Sequence, residues 1–371
     1  MPNITRRKLL QGAAAAGAIA ALNVRLAEAQ AQSRPEVVGI SPDLIARAKR
    51  EGTIMMRYAS PVEVMTPIVK EFERQFGIKV LLDRKAGSLG NQQFATEERA
   101  GQHIMDVAWV TDPLGLKRLS AEGLYLNWTI ADIAKKLPAN TYVEGWGYCP
   151  HWTDLMIPYN PAVVSHAKAK EIFKTWHGLL DPSLSGKIGL VEPAATNLAF
   201  LTYMMFFELP QYGRAFFQKL AAQKPRLYSG SAQGREDISA GAIGTFIPAW
   251  ESAAFLAFLG GDKTAWIYPD VAPSTAENHI AISKHAPHPA AARLLAAWAF
   301  TEEGARAIML SETRPTLLGI KDERSALIKL RQTEWFTPMR PNSSWVPSHD
   351  SWSKVYPTLM PEMRKTLGWR G

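Results

Sequence analysis

The chain has 371 residues, 47% of them hydrophobic and 20% charged, with 26 Gly and 25 Pro, a balance that excludes disorder and collagen-like repetition. At roughly 150 residues per domain the length predicts two globular domains. The single cysteine, Cys149, excludes an intramolecular disulfide and a thiolate metal cage, and its expected role is buried packing.

The N-terminus reads as an address label outside the fold. Thr5-Arg6-Arg7-Lys8-Leu9-Leu10-Gln11 carries twin arginines, residues 13–22 form a short apolar run, and Ala27-Glu28-Ala29 or Ala29-Gln30-Ala31 offers the small-x-small pattern of a signal peptidase site. The run is shorter than the about 20 apolar residues that a membrane span needs. Residues 1–29 are therefore expected to be an export signal read by the twin-arginine translocase, with Leu9 and Gln11 replacing the Phe and Lys common there. No Cys follows the run to accept a lipid, so the mature chain is expected free in the periplasm. Losing four basic residues and one acidic residue with the signal lowers the formal charge from +8 to +5. A mild positive balance favours anionic solutes, whereas basic residues this dispersed speak against nucleic acid.

From Gly52 the chain alternates strand and helix patterns. Residues 53–58 read as a strand, 62–76 as an amphipathic helix with Gly77 as its C-terminal cap, and 78–83 as the next strand. A helix over 92–100, a strand over 106–110 and a helix over 114–122 follow. Strict alternation predicts a parallel sheet covered on both faces. Residues 141–161 shift to Tyr, Trp, Gly and Pro, and 152–159 reads as an extended crossing between lobes. Beyond it the pattern predicts strands at 187–191, 243–248 and 278–283, with helices at 197–207, 210–219 and 289–300. After Lys321 the scattered Trp and Pro show no clear period.

Several words in this order resemble the periplasmic solute-binding proteins of bacterial ABC importers, in the branch that includes ferric-iron-binding proteins. They are Phe72-Glu73-Arg74-Gln75-Phe76-Gly77-Ile78-Lys79-Val80, Asp106-Val107-Ala108-Trp109-Val110, Leu119-Ser120-Ala121-Glu122-Gly123-Leu124, Trp176-His177-Gly178-Leu179-Leu180-Asp181-Pro182 with Ser185-Gly186-Lys187-Ile188-Gly189, and Ala297-Trp298-Ala299-Phe300 with Glu303-Gly304. The resemblance covers most of the mature chain and implies a two-lobed α/β fold of the type II periplasmic binding class, each lobe a mixed sheet flanked by helices, joined by two hinge strands. It places the first lobe at 37–152 and 276–320, the second at 153–275, and a helical tail packing across both at 321–371. It also implies a small-molecule ligand clamped between the lobes and handed to an inner-membrane ABC permease by a monomer.

The resemblance further implies where ligand contacts lie. Ferric-binding relatives hold metal with a His, a Glu and a Tyr pair, and those positions fall here near Ala59-Ser60-Pro61, at about Ser88, and at Glu251-Ser252. One carboxylate cannot supply the anionic oxygens a hard ferric ion prefers, so iron becomes a minor alternative. Glu192-Pro193-Ala194-Ala195-Thr196-Asn197 lies between a strand and a helix; Ala195, Thr196 and Asn197 either hold an anion or merely cap the helix. Gly87-Ser88-Leu89-Gly90-Asn91, with Arg84 and Lys85 upstream, is the analogous turn of the first lobe, either a ligand loop or a flexible connection. Ser231 follows a further strand. Trp109, Trp152 and Trp250 either stack on a carbon skeleton or fill the core. Asp112, Glu251 and Asp270 are candidates for an ammonium group, and Arg57 or Arg84 for a carboxylate, with structural charge as the alternative for each.

Catalytic motifs are missing: there is no G-x-S-x-G elbow, no P-loop and no H-E-x-x-H. His285 and His288 sit in a Pro-rich loop without Cys or an acidic neighbour between them, too few ligands for a metal shell. The reading is a binding protein without cofactor or resident metal, its solute a carboxylate or phosphorylated compound. A polyamine boxed by Trp109 and Trp250, or a secreted enzyme on the same scaffold, are the alternatives.

Overall fold

The computed structural model describes residues 35–85, 89–143, 145–193, 197–275, 278–340 and 343–369. The proposed export signal lies outside them. Strand Thr53–Tyr58 and helix Val62–Phe76 form where the periodicity places them, because Val64, Met65, Ile68, Val69, Phe72 and Phe76 share one buried face. Gly77 ends the helix at φ 70°, a left-handed position that glycine takes without a Cβ penalty.

The first sheet has six strands in the order Lys79–Arg84, Thr53–Tyr58, Val107–Val110, His279–Ile282, Gly147–Tyr148 and Tyr142–Val143. Its first three strands are parallel, as strict alternation predicts. His279–Ile282 is antiparallel to Val107–Val110, so the sheet is mixed, as the resemblance implies, rather than parallel throughout as alternation alone predicts: this strand re-enters from the second sheet and arrives from the opposite direction.

The second sheet has nine strands gathered around the nine-residue strand His151–Tyr159, long enough to take different partners along its length. Thr245–Ile247 and Ala249–Trp250 line one stretch, where a single strand over 243–248 was expected; Pro248 lies between them and has no N–H to extend a ladder. The chain leaves the first sheet through His151–Tyr159 and returns through Ala272–Thr275. Trp176 anchors the Trp-His-Gly-Leu-Leu-Asp-Pro stretch by donating its indole N–H to the Val271 carbonyl at 2.7 Å, and two short 3-10 turns, Trp176–Leu180 and Pro182–Leu184, carry the chain through it.

The two largest apolar cores among the described residues lie one around Phe72, Trp109, Trp128 and Trp298, the other around Trp176, Phe200, Tyr203 and Phe217. Cys149 is buried, and its thiol donates to the His151 carbonyl. The tail is not aperiodic. Helix His349–Leu367 buries Leu359, Met360, Met363 and Leu367 in the second core, and Pro357 and Pro361 within it disguise that spacing. The same helix packs against Asn197–Glu208 and Gly213–Ala222 on the second sheet and against Pro113–Ala121 on the first. No described helix is long and apolar enough to cross a membrane.

Candidate ligand-binding site

The parallel strands of the first sheet end at one edge, where Arg84 closes its strand and Ser60 and Asp112 follow theirs. Ser60 is 5% exposed and donates its hydroxyl to Asn278 Oδ1 at 3.0 Å, joining the edge to the returning crossing. The exposed Arg84 donates Nε–H to the Ser60 carbonyl at 3.0 Å and has no carboxylate partner among the described residues. Arg57 behaves differently. Its buried guanidinium pairs with Asp83 at 2.9 Å and Glu97 at 3.1 Å, so although burial opposes its charge, the two carboxylates hold its pKa above the usual arginine value. That corrects its candidacy as a ligand group.

Asp112 is half-buried and engaged on both oxygens: Oδ1 accepts the Gly115 N–H at 2.9 Å, capping helix Pro113–Ala121, and Oδ2 accepts from the Asn91 amide at 3.1 Å. Trp109 is wholly buried in the first core with its ring 5.5 Å from His151, so it packs rather than stacking on a guest.

On the second sheet, Glu192 follows strand Ile188–Val191 and lies 2.8 Å from Arg364 of the tail helix. Ser88, Ala195 and Thr196 lie outside the described residues, and Asn197 opens helix Asn197–Glu208. Ser231 opens helix Ser231–Ser239; it is 9% exposed, and its buried Oγ has no hydrogen-bond partner among the described residues. Trp250 is half-buried beneath the Arg235 guanidinium, 5.1 Å from its ring centroid.

Two acidic candidates are corrected. Glu251 is buried and accepts from the Tyr268 hydroxyl and the Arg324 guanidinium, which itself grips Asp322 at 2.7 and 2.9 Å. Burial and the adjoining Glu251 carboxylate hold the Tyr268 phenol far above its ordinary pKa. Asp270 accepts from Tyr212 at 3.1 Å and its amide bonds the Lys174 carbonyl, away from the strand ends. Both carboxylates thus carry protein partners, and Glu251 also lines the cavity floored by Trp152 and Asp154.

A cavity of about 720 Å³ lies against the crossing strand. Met156 faces the side covered by the tail, packing with Trp266 and Leu327, while Leu155 and Ile157 face the second core; Trp152 and Asp154 share the side of Met156 and form the cavity floor. Arg314 lies 4.1 Å over the Trp152 ring and pairs with Asp154 at 2.7 Å. Burial pushes the Asp154 carboxyl up despite Arg314. Trp152 is thus held beneath an arginine. Arg331 and Arg340 line the same cavity, exposed and without carboxylate partners among the described residues. The sequence reading named two of its lining residues, Trp152 and Glu251, but not Arg314, Arg331 or Arg340, because the walls come from segments far apart in the chain.

The model of the bacterial extracellular solute-binding protein family matches residues 67–329. The chain belongs to that family of bacterial extracellular solute-binding proteins. Among solved structures it is similar to iron-bound HitA from Pseudomonas aeruginosa, with 18% identity over 85% of this chain and 99% of that one and a TM-score of 0.65. It is similar also to the substrate-binding protein of an ABC transporter from Agrobacterium tumefaciens, with 16% identity, 90% and 100% coverage and a TM-score of 0.67. A third is the Trichodesmium protein IdiA (FutA) in complex with iron and citrate, with 16% identity, 86% and 100% coverage and a TM-score of 0.66. These likenesses support the two-lobed fold. No curated protein matches the chain.

Proposed function

We propose that the protein captures a small organic anion, a carboxylate or phosphorylated compound, between its lobes and delivers it chemically unchanged to an inner-membrane permease. The observation that carries this reading is the state of the charges. Each carboxylate considered for a cationic guest is engaged, Asp112 by Gly115 and Asn91, Glu251 by Arg324 and Tyr268, Asp270 by Tyr212, whereas Arg84 at the strand ends holds only a carbonyl among the described residues. Ser231, with a buried hydroxyl at a helix N-terminus, adds a donor suited to an anionic oxygen. These features argue against a polyamine.

Iron is present in two of the similar structures. At the positions where the ferric-binding branch carries its tyrosine pair this chain has Glu251, locked to Arg324, and Ser252. That pairing leaves little for a ferric ion. Titration calorimetry against carboxylates, sugar phosphates, polyamines and ferric ion tests the reading. An anion should bind, and Arg84→Ala should weaken it at least about tenfold, about 1.4 kcal/mol. Tighter binding of spermidine or ferric ion, or an Arg84→Ala variant with unaltered anion affinity, would refute the assignment.

A further inference from the structure

At the other edge of the first sheet, where its parallel strands begin, two histidines meet a buried carboxylate. Glu98 belongs to the last turn of helix Leu89–Arg99, His103 to the loop leading into Val107–Val110, and His285 to the loop between His279–Ile282 and Pro289–Trp298. His103 Nδ1 lies 3.1 Å and His285 Nδ1 2.9 Å from the same oxygen, Glu98 Oε2, and the two rings stand 4.5 Å apart. The ligand-type atoms of all three residues lie within 4.8 Å of one another, the one such His/Cys/Asp/Glu group of three among the described residues.

We propose that Glu98, His103 and His285 form a binding site for a divalent transition metal of the zinc type. Ligand atoms on a tetrahedral zinc with bonds of about 2.0–2.1 Å are separated by roughly 3.3 Å, close to the spacing of each histidine nitrogen from Glu98 Oε2. The second oxygen, Glu98 Oε1, is buried without a hydrogen-bond partner among the described residues, and the Glu98 side chain is only 1% exposed. An unpaired buried carboxylate oxygen is costly, and a cation between the three residues would offset that cost. The imidazoles are 40% and 50% exposed, so ions reach the site from solvent and a fourth position stays open to water. His288 takes no part, since its Nδ1 lies 2.9 Å from Asp106. Glu98 and His285 stand 187 positions apart in sequence, and a bound ion would staple two loops across that separation. The site lies a helix length, about 15 Å, from the strand ends of the proposed solute cleft.

The test is equilibrium dialysis of the untagged mature chain against zinc, with metal content measured by mass spectrometry and cobalt as an absorbing substitute. One zinc per chain is expected, with intense visible cobalt bands of tetrahedral type. His103→Asn and His285→Asn, exposed positions that should leave the circular dichroism unchanged, should each weaken zinc binding at least about tenfold, as ligand loss must cost no less than loss of a supporting contact. Wild-type protein that retains no zinc would overturn the proposal, as would folded variants that retain it with undiminished affinity.

Discussion

Replacing Glu251 with Gln separates two roles for this carboxylate. Were it a contact for an ammonium ligand, the change would alter ligand preference and leave stability nearly intact. In the structure Glu251 is 3% and Arg324 2% exposed, and they are joined directly, with Tyr268 donating to the second carboxylate oxygen. Removing one partner of a buried ion pair costs about 3–5 kcal/mol because the other charge is left uncompensated. Arg324 retains Asp322 through two hydrogen bonds, and a glutamine oxygen can still accept from Tyr268, so the lower end, about 3 kcal/mol, is expected. With an unfolding entropy of about 2.1 cal/mol/K per residue, that loss lowers Tm by about 4 °C in a chain this long. Urea unfolding of wild type and Glu251→Gln at pH 7 measures it. A loss below about 1 kcal/mol together with a switch in ligand charge preference would refute the structural role of this pair.

Stability should also fall on mild acidification through His151, which burial pushes down from 6.5 to about 4. The unfolded chain takes up this proton below 6.5 while the folded chain refuses it until about pH 4, so the contribution is intact above 6.5 and declines as pH falls through that window. Between pH 7 and pH 5 the loss is about 2 kcal/mol, and in His151→Phe the pH dependence measured by urea unfolding should be smaller by that amount. An unchanged dependence would contradict the burial of a neutral imidazole. At Gly178 a Cβ would lie 2.0 Å from the Ile172 carbonyl oxygen, so Gly178→Ala should cost about 2 kcal/mol or more in the same assay; a neutral outcome would mean that the turn after Trp176 shifts freely.

The two-lobed fold was legible because its signals are local. The face of Val64, Ile68, Val69, Phe72 and Phe76 lies within one helix, and the Trp176-to-Pro182 stretch carries its glycine where the Ile172 backbone crowds it. The antiparallel entry of His279–Ile282 was not legible, since periodicity carries no direction. Side-chain roles were less accessible still. Sequence left Glu251 and Asp112 open between ligand contact and structural charge, because their partners, Arg324 and Asn91, are supplied by other elements. His285 looked unsupported because its neighbours in sequence are not its neighbours in space: Glu98 and His103 come from a different loop and helix. Ser60 and Arg84 do come together, by virtue of adjacent parallel strands.

Native mass spectrometry of the protein released from the periplasm, followed by identification of whatever dissociates on unfolding, addresses the transport reading most directly. One organic acid or phosphate ester per chain, matching the free compound in mass and fragmentation, is the predicted result. A polyamine, a cleft-bound ferric ion or a chemically altered product in its place would contradict it.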